Sequence, residues 1–220
     1  MADEFPPTAP AAAPGATPAA GELRLGPSGT GKRLVLLHGW GSDADDLLEL
    51  GPLLVGAGVE IVALQAPWPH PAGSGRQWYD LQQSEWPQLP EARLALRTRL
   101  EQLGRETPLE NTVVLGFSQG AAMAIDVISS DGGLPCAGLI GCSGYPHPQW
   151  QPNAAKPSAV LLTHGIHDPV VPFAASEALQ KQLEEGGHLS QLLRFEGGHT
   201  IDQGLFPAMR DFIAAQWPQS

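Results

Sequence analysis

The chain has 220 residues and 42% of them are hydrophobic, which is enough for one domain with a substantial core. Its formal net charge is −11, from 23 acidic and 12 basic side chains, and this balance argues against a nucleic-acid partner. Two cysteines are too few for a disulfide framework, so a reducing, cytoplasmic location is expected. We find no apolar run long enough for a transmembrane segment and no signal-peptide pattern at the N-terminus.

The N-terminal third of the chain begins with a tail and then changes composition. Residues 1–21 are mostly Ala, Pro, Thr and Gly with little to bury, which predicts a disordered tail, and residues 22–220 are expected to form a single domain. A hairpin is expected around residues 26–29, followed by a buried strand at 33–37. Ser42 and Asp43 have the character of a helix N-cap, which predicts a helix over 45–54 before a strand at 60–64.

The remainder of the chain alternates between predicted strands and helices. Residues 66–90 form an irregular segment rich in Trp, Pro and Gly, and long loops of this kind are usually functional. Helices are then expected at 91–104, 174–185 and 203–216, and strands in a short β-branched stretch that begins at Asn111 and at 137–142, 159–163 and 191–195. This alternation predicts an α/β fold with a mainly parallel central sheet, helices on both faces and ligands at the carboxyl ends of the strands.

A G-x-S-x-G pentapeptide at 116–120 stands between this β-branched stretch and a run of small residues that is typical of a closely packed helix. A serine at such a strand-to-helix turn has a strained backbone, and glycines two residues away on either side remove the side chains that would collide. We interpret Gly116 and Gly120 as these glycines and Ser118 as an exposed nucleophile. The alternative is a glycine-bounded turn with a capping serine.

A serine nucleophile requires a base, and the base requires an orienting acid. His199 follows the last predicted strand on a Gly-Gly loop, and Asp168 follows the strand at 159–163. Ser118, Asp168 and His199 therefore follow three successive strands, in the order that this fold requires. The alternatives for the last two are a turn-forming Asp before Pro169 and a loop histidine at the surface.

The tetrahedral oxyanion of acyl transfer needs two backbone donors. One is expected from the N–H of Gln119, directly after the nucleophile, and the other from the N–H of Trp40 in the glycine-rich loop after the strand at 33–37. His38, in the same loop, is interpreted as a structural histidine that supports this loop.

Two further groups of residues have competing interpretations. His164 and His167 with Asp168 have the spacing of a metal cluster only on a helix, which Gly165 and Pro169 disfavour, so we predict no metal. Asp202 is interpreted as a carboxylate in an early helical turn. The residues expected to bind substrate are Trp68, Trp78, Tyr79, Trp86, Tyr145 and Val170. For the first four of these residues, the alternative is that their aromatic rings only pack inside the loop.

Five segments carry a resemblance to a known family. The segments contain the following peptides: Leu37-His38-Gly39-Trp40-Gly41, Gly116-Phe117-Ser118-Gln119-Gly120, Ser143-Gly144-Tyr145, His164-Gly165-Ile166-His167-Asp168 and Gly198-His199. The chain resembles the phospholipase/carboxylesterase family of α/β-hydrolases, which includes the acyl-protein thioesterases. The resemblance implies the α/β-hydrolase fold, the same nucleophile, acid, base and oxyanion donors as above, and no cofactor. The sequence of this chain departs from the family pattern at Trp40, where the family usually has leucine.

These patterns together predict a serine carboxylesterase for short to medium acyl chains, acting through an acyl-enzyme. The alternatives are an acyl-protein thioesterase or lysophospholipase and, from another class, a non-catalytic ligand-binding protein with the same fold. The expected partner is a small-molecule ester or thioester, with an acylated protein or lysophospholipid as the alternative. The oligomeric state is left open between monomer and homodimer.

Overall fold

The computed structural model of the chain describes residues 21–153 and 156–217. The predicted tail therefore lies outside the described residues except for Gly21, whose carbonyl accepts a hydrogen bond from the N–H of Gln65 at 2.8 Å. Among the described residues, no helix has the length and apolar character needed to cross a bilayer.

A seven-stranded sheet forms the centre of the fold, with the strand order β1-β3-β2-β6-β7-β8-β9. Its strands are β1 (Glu22–Leu25), β2 (Arg33–Leu37), β3 (Glu60–Leu64), β6 (Thr112–Phe117), β7 (Gly138–Cys142), β8 (Ala159–Gly165) and β9 (Leu189–Phe195). All neighbouring strands are parallel except β1 and β3, which are antiparallel. This architecture confirms the predicted α/β fold.

Five helices cover the two faces of the sheet: α1 (Leu50–Val55), α2 (Leu89–Gly104), α3 (Gln119–Ser129), α4 (Ala174–Glu185) and α5 (Phe206–Gln216). The central strands are buried on both faces, so their alternate side chains enter two separate apolar clusters. One cluster contains residues of α2, α3 and α4, among them Leu96, Met123 and Leu179. The other contains residues of α1 and α5, among them Leu54 and Met209.

Most predicted elements are found within two residues of their expected bounds, including β2, β3 and α4 at their predicted limits. The hairpin expected around residues 26–29 is wrong, because β1 pairs with β3 and β3 separates it from β2. Local turn chemistry could not reveal this, since the partner of β1 comes from a later part of the chain.

The helix predicted over 45–54 begins later, at Leu50. Asp43 accepts a hydrogen bond from the N–H of Asp45 through its side chain, which makes a local turn instead of a helix cap. Successive backbone bonds of Asp46, Leu48 and Leu50 then reach three residues back, so the chain forms tight turns before it becomes α-helical.

The aromatic-rich segment predicted at 66–90 contains a small hairpin of its own, made of β4 (Trp68–Pro69) and β5 (Arg76–Gln77). Its second strand meets the loop after β2, where the N–H of Gly41 donates to Arg76 O at 2.9 Å and the N–H of Arg76 donates to Ser42 O at 2.6 Å. These two backbone hydrogen bonds therefore attach the loop after β2 to the hairpin.

The first turn of α3 lies directly against the ends of β2 and β6. A Cβ atom at Gly116 would come within 2.5 Å of the Gly120 carbonyl group, and a Cβ at Gly120 would overlap the carbonyl oxygens of Leu37 and His38. Backbone meets backbone here, and neither side can yield as a flexible side chain would.

We expect Gly120→Ala to lower the free energy of unfolding by at least about 1–3 kcal/mol, because the added methyl group must displace α3 from β2. Gly58→Ala is the control, since a Cβ at Gly58 meets nothing within 4 Å, and it should stay within about 0.5 kcal/mol of wild type. Urea unfolding followed by circular dichroism measures both variants. Equal midpoints for the two variants would contradict the close contact.

Candidate active site

Ser118 stands at the turn between β6 and α3, with a left-handed φ of 53° and a ψ of −116°. A non-glycine residue in this region is strained, and such strain persists only where the surroundings enforce it. The Ser118 N–H donates to Cys142 O at 2.8 Å, which ties the turn to β7. The side chain is held above the carboxyl end of the sheet, with the residue 8% exposed.

His199 reaches Ser118 from the loop that follows β9. Its Nε2 lies 3.0 Å from Ser118 Oγ and its Nδ1 lies 2.6 Å from Asp168 Oδ2. The ring packs beside Phe117, with 4.9 Å between the ring centroids. Because a carboxylate only accepts, Nδ1 carries the proton and Nε2 is free to accept from the serine hydroxyl.

Asp168 lies in the loop after β8, and its side chain is fully buried. Its Oδ1 accepts hydrogen bonds from the N–H groups of Val170 and Val171 at 2.8 and 2.9 Å, while Oδ2 faces His199. Burial acts to raise the pKa of Asp168, but the hydrogen bonds from His199, Val171 and Val170 outweigh it, so the pKa is lowered. The carboxylate is therefore ionised at neutral pH.

The loops that carry Asp168 and His199 touch each other. The N–H of Ile166 donates to Phe195 O and the N–H of His167 donates to Gly197 O, both at 3.0 Å. A Cβ atom at Gly165 would overlap the carbonyl oxygens of Gly197 and Gly198. Glycine at 165 thus lets the two loops approach closely enough for Asp168 and His199 to meet.

The loop that is predicted to supply an oxyanion donor lies next to Ser118. A Cβ atom at Gly39 would be 3.5 Å from Ser118 Cβ, so the backbone that leads to Trp40 passes beside the serine. The Trp40 indole is held by a hydrogen bond from Nε1 to Gln77 Oε1 at 2.8 Å and by an edge contact with His70 at 4.1 Å between centroids. Gln119 is the first residue of α3, so its N–H has no acceptor within the helix. This N–H lies at the N-terminus of the helix, which is the positive end of the helix dipole.

His38 occupies the structural position that the sequence suggests. Its Nδ1 lies 2.7 Å from Gly39 O, and its Nε2 accepts from the N–H of Ala66 at 3.1 Å. Burial lowers the pKa of His38, which keeps the ring neutral and suited to this pair of bonds. Both ring nitrogens are thus used to hold the loop.

The residues expected to bind substrate fall into two groups. Trp68, Trp78 and Tyr79 are 7%, 1% and 0% exposed and belong to the apolar core, which favours the packing alternative for them. Trp86 and Tyr145 are half-buried neighbours with 5.9 Å between ring centroids, and Val170 is 64% exposed. Surface for a substrate is therefore available from the second group.

The Gln119 side chain connects the elbow to the aromatic segment. Its Oε1 accepts from the N–H of Trp78 at 2.9 Å and its Nε2 donates to Tyr79 O at 2.7 Å. Trp78 in turn donates from Nε1 to His38 O at 2.9 Å. The aromatic segment is therefore attached both to the nucleophile turn and to the oxyanion loop.

Two buried polar residues near these elements, Asp126 and His147, have no counterpart in the sequence analysis. His147 lies 2.7 Å from Asp126 Oδ2 through Nδ1 and 2.9 Å from the Tyr79 hydroxyl through Nε2. His164, fully buried behind Asp168, was considered only as a metal ligand. Isolated polar residues in apolar stretches carry no spacing signal, so only the folded chain shows their partners.

The competing sequence interpretations receive separate answers. The side chain of His164 is 0% exposed and that of His167 is 70% exposed, so these two histidines do not face one site. Within 21–153 and 156–217, no three His, Cys, Asp or Glu side chains are grouped as metal ligands. Asp202 accepts from the N–H of Gly204 at 2.6 Å, at the start of the turn that precedes α5.

The mainly parallel sheet, the strained serine at the strand-to-helix turn, and the aspartate and histidine that contact each other from the loops after β8 and β9 define an α/β-hydrolase. Residues 28–217 match the family model described as Phospholipase/Carboxylesterase. The chain belongs to this family and is an enzyme of the esterase class.

Individual relatives agree with this assignment. Esterase YpfH of Escherichia coli (strain K12) is 30% identical over 180 residues, which cover 77% of this chain and 76% of the relative. Acyl-protein thioesterase 1 of Schizosaccharomyces pombe is 34% identical over 116 residues, which cover 48% of this chain and 50% of the relative. The crystal structure of esterase PE8 has a TM-score of 0.76 and 29% identity, covering 90% of this chain and 98% of that one.

The lowered pKa of Asp168 predicts a pH dependence of stability. A carboxyl whose pKa is lower in the folded than in the unfolded protein stabilises the fold above the unfolded value of about 4, and this contribution is lost as the pH falls toward the folded value. We therefore expect Asp168→Asn to lose less stability than wild type between about pH 4 and the acid end of the folded range. Urea unfolding at a series of pH values measures it, and parallel curves for the two proteins would contradict the lowered pKa.

Proposed function

We propose that the chain is a serine esterase in which Ser118 is the nucleophile, His199 the general base and Asp168 the orienting acid. The observation that carries the proposal is the unbroken contact from Ser118 Oγ to His199 at 3.0 Å and from His199 to Asp168 at 2.6 Å. The buried, ionised Asp168 holds the Nδ1–H tautomer of His199 and stabilises the imidazolium that forms when the serine loses its proton.

The reaction then follows from the geometry. Ser118 Oγ bonds to the carbonyl carbon of the ester while its proton passes to His199 Nε2, and the carbonyl oxygen becomes an oxyanion. Collapse breaks the bond to the leaving group, which takes the proton from His199 and departs as an alcohol or thiol. A water molecule repeats the sequence on the acyl-serine and releases the carboxylic acid.

For the oxyanion we propose the N–H groups of Gln119 and Trp40. The first is supported by its position at the positive end of α3, and the second by the passage of the Gly39 backbone beside Ser118. Losing such a donor typically costs about 3 kcal/mol of transition-state stabilisation.

Carboxylic esters with short to medium acyl chains are the proposed substrates. The Trp40 indole is held in place next to the proposed oxyanion donor and takes up space there. The aromatic segment is anchored in the core by Trp78 and Tyr79, which makes it a poor candidate for a mobile apolar lid over a long chain. The relative named an esterase covers more of the chain than the one named a thioesterase.

Hydrolysis of acyl-protein thioesters is the second candidate, because a relative that carries the name acyl-protein thioesterase 1 is 34% identical over the aligned part. A thioester carbonyl is attacked by the same serine through the same steps. The two candidates differ in the acyl length and leaving group that the enzyme prefers, and an assay can separate them.

We expect the purified protein to hydrolyse p-nitrophenyl esters with a maximum at short to medium acyl chains, and Ser118→Ala to fall by roughly 10⁴-fold or more, to the background rate. The panel runs from acetate to palmitate and includes a palmitoyl thioester. A maximum at the palmitoyl thioester would favour the second candidate. Mass spectrometry after reaction with a fluorophosphonate should find the adduct on the peptide that contains Ser118.

Ser143→Ala is the matched control, since Ser143 also has a positive φ, follows the neighbouring strand β7 and is buried, and its Oγ makes no hydrogen bond among the described residues. Its activity and labelling should remain close to wild type. Full activity or labelling of the Ser118→Ala protein would overturn the proposal. So would a folded wild-type protein that is inert to every ester and to the fluorophosphonate.

A further inference from the structure

His164 is a fully buried histidine at the end of β8 that lies close to the proposed catalytic acid. Its Nδ1 lies 2.6 Å from Ser176 Oγ, in the first turn of α4, and its Nε2 lies 2.9 Å from Val171 O. The same Nε2 is 3.2 Å from Asp168 Oδ2. The steps described above leave this histidine without a role.

The partners of His164 determine where its proton lies. Val171 O can only accept, so Nε2 carries hydrogen and Nδ1 of the neutral ring accepts from the hydroxyl of Ser176. The hydrogen on Nε2 is bonded to Val171 O and lies beside the carboxylate of Asp168. Val171 O therefore selects the tautomer that presents an N–H dipole to Asp168, and the Ser176 hydroxyl supports it by donating to Nδ1.

Asp168 Oδ2 consequently lies between two histidines, with His199 at 2.6 Å and His164 at 3.2 Å. The other oxygen, Oδ1, is held by Val171, whose carbonyl is the hydrogen-bond acceptor of His164. His164 thus acts on the carboxylate by two routes, directly through its dipole and indirectly by fixing the residue that holds Oδ1.

We propose that His164 is a positioning residue for the acid, so that the functional unit is the chain Ser176–His164–Asp168–His199–Ser118. The proposal rests on the proposed function, because it assigns His164 a role through Asp168 in that reaction. His164 touches no reacting atom. It sets the orientation of the Asp168 carboxylate and limits how strongly that carboxylate attracts the proton of His199.

The other groups near His164 on these loops have a weaker effect on the Asp168 carboxylate. Phe173 covers the His164 ring at right angles, with 5.7 Å between centroids. A polar contact on the same two loops, His167 with Glu196 at 3.1 Å, is exposed, with 70% and 81% of the side chains accessible. Exposed charges are screened by water, so the buried His164 dipole has the larger effect on Asp168.

Removing this dipole is expected to shift the pH profile of kcat/KM in one definite direction. Without the N–H of His164, Asp168 keeps more of its negative charge for His199 and stabilises the imidazolium more strongly. The base then becomes available only at higher pH, so the acid limb of the pH profile of kcat/KM moves upward. A purely structural loosening does the opposite, since a weaker contact between Asp168 and His199 moves that limb downward.

The test compares His164→Leu, which removes the dipole at similar volume, with His164→Gln, whose amide can place a donor near the same position. For His164→Leu we expect kcat to fall on the order of tenfold with KM nearly unchanged, as is typical of groups that orient a reacting residue. The acid limb should move up by about half a pH unit or more. His164→Gln should recover most of both, and Ser176→Ala should give a smaller shift in the same direction.

His188→Leu is the matched control, because His188 is another buried histidine, bonded to the N–H of Ser158 and close to Ser129 O, with no contact to the triad. It should lower stability without moving the acid limb. A proton NMR spectrum supplies a readout that does not depend on turnover: the low-field signal of the proton between His199 and Asp168 should shift in His164→Leu and remain in place in His188→Leu.

An acid limb in His164→Leu that coincides with wild type or moves downward overturns the proposal, and so does a His164→Gln protein that recovers neither rate nor limb. If Ser118→Ala retains activity, the proposed function itself fails. If Ser118→Ala is inactive while His164→Leu has an unshifted profile, the triad stands and only the role of His164 is lost. Circular dichroism confirms that each variant is folded before its kinetics are interpreted.

Discussion

The close contact between the first turn of α3 and the ends of β2 and β6 is the constraint on which the rest of the structure depends. Gly116 and Gly120 bring backbone against backbone there, and no side chain could replace hydrogen at either position without moving an element of the core. This contact forces Ser118 into a left-handed conformation and points its hydroxyl out of the sheet. It also brings the positive end of α3 to the place where the oxyanion is proposed to form.

The rest of the proposed machinery is assembled by loops that leave neighbouring strands at the same edge of the sheet. β8 and β9 are parallel neighbours, so the loops after them emerge side by side and touch through Gly165 and Gly197. Asp168 and His199 meet at this contact, although 31 residues separate them in the chain. The parallel order of strands therefore explains how the loops after β8 and β9 bring Asp168 and His199 toward Ser118, and why His164, at the end of β8, lies close to Asp168.

The aromatic segment between β3 and α2 shows how packing and function share residues. Trp78 and Tyr79 are buried, yet their backbone groups hold the Gln119 side chain, and Trp78 also holds the His38 carbonyl. The segment thus connects the core to both sides of the site. Asp126, His147 and Tyr79 add a second buried polar chain beside it, and full pairing of such groups fixes one arrangement of the segment.

The sequence by itself determined the elements whose signal is local. Apolar runs predicted the strands, and Ser118, Asp168 and His199 were predicted as site residues because each follows such a run and is accompanied by glycine or proline. The tertiary structure decided everything that depends on which distant segments meet. It placed β3 between β1 and β2, and it made α1 begin at a later residue than the sequence predicts. It also buried Trp78 and Tyr79, although the composition of their loop was equally compatible with a pocket. It also gave His164 its partners, because a buried polar side chain acquires a role from the groups around it, and those groups come from Asp168, Val171 and α4 only after the chain has folded.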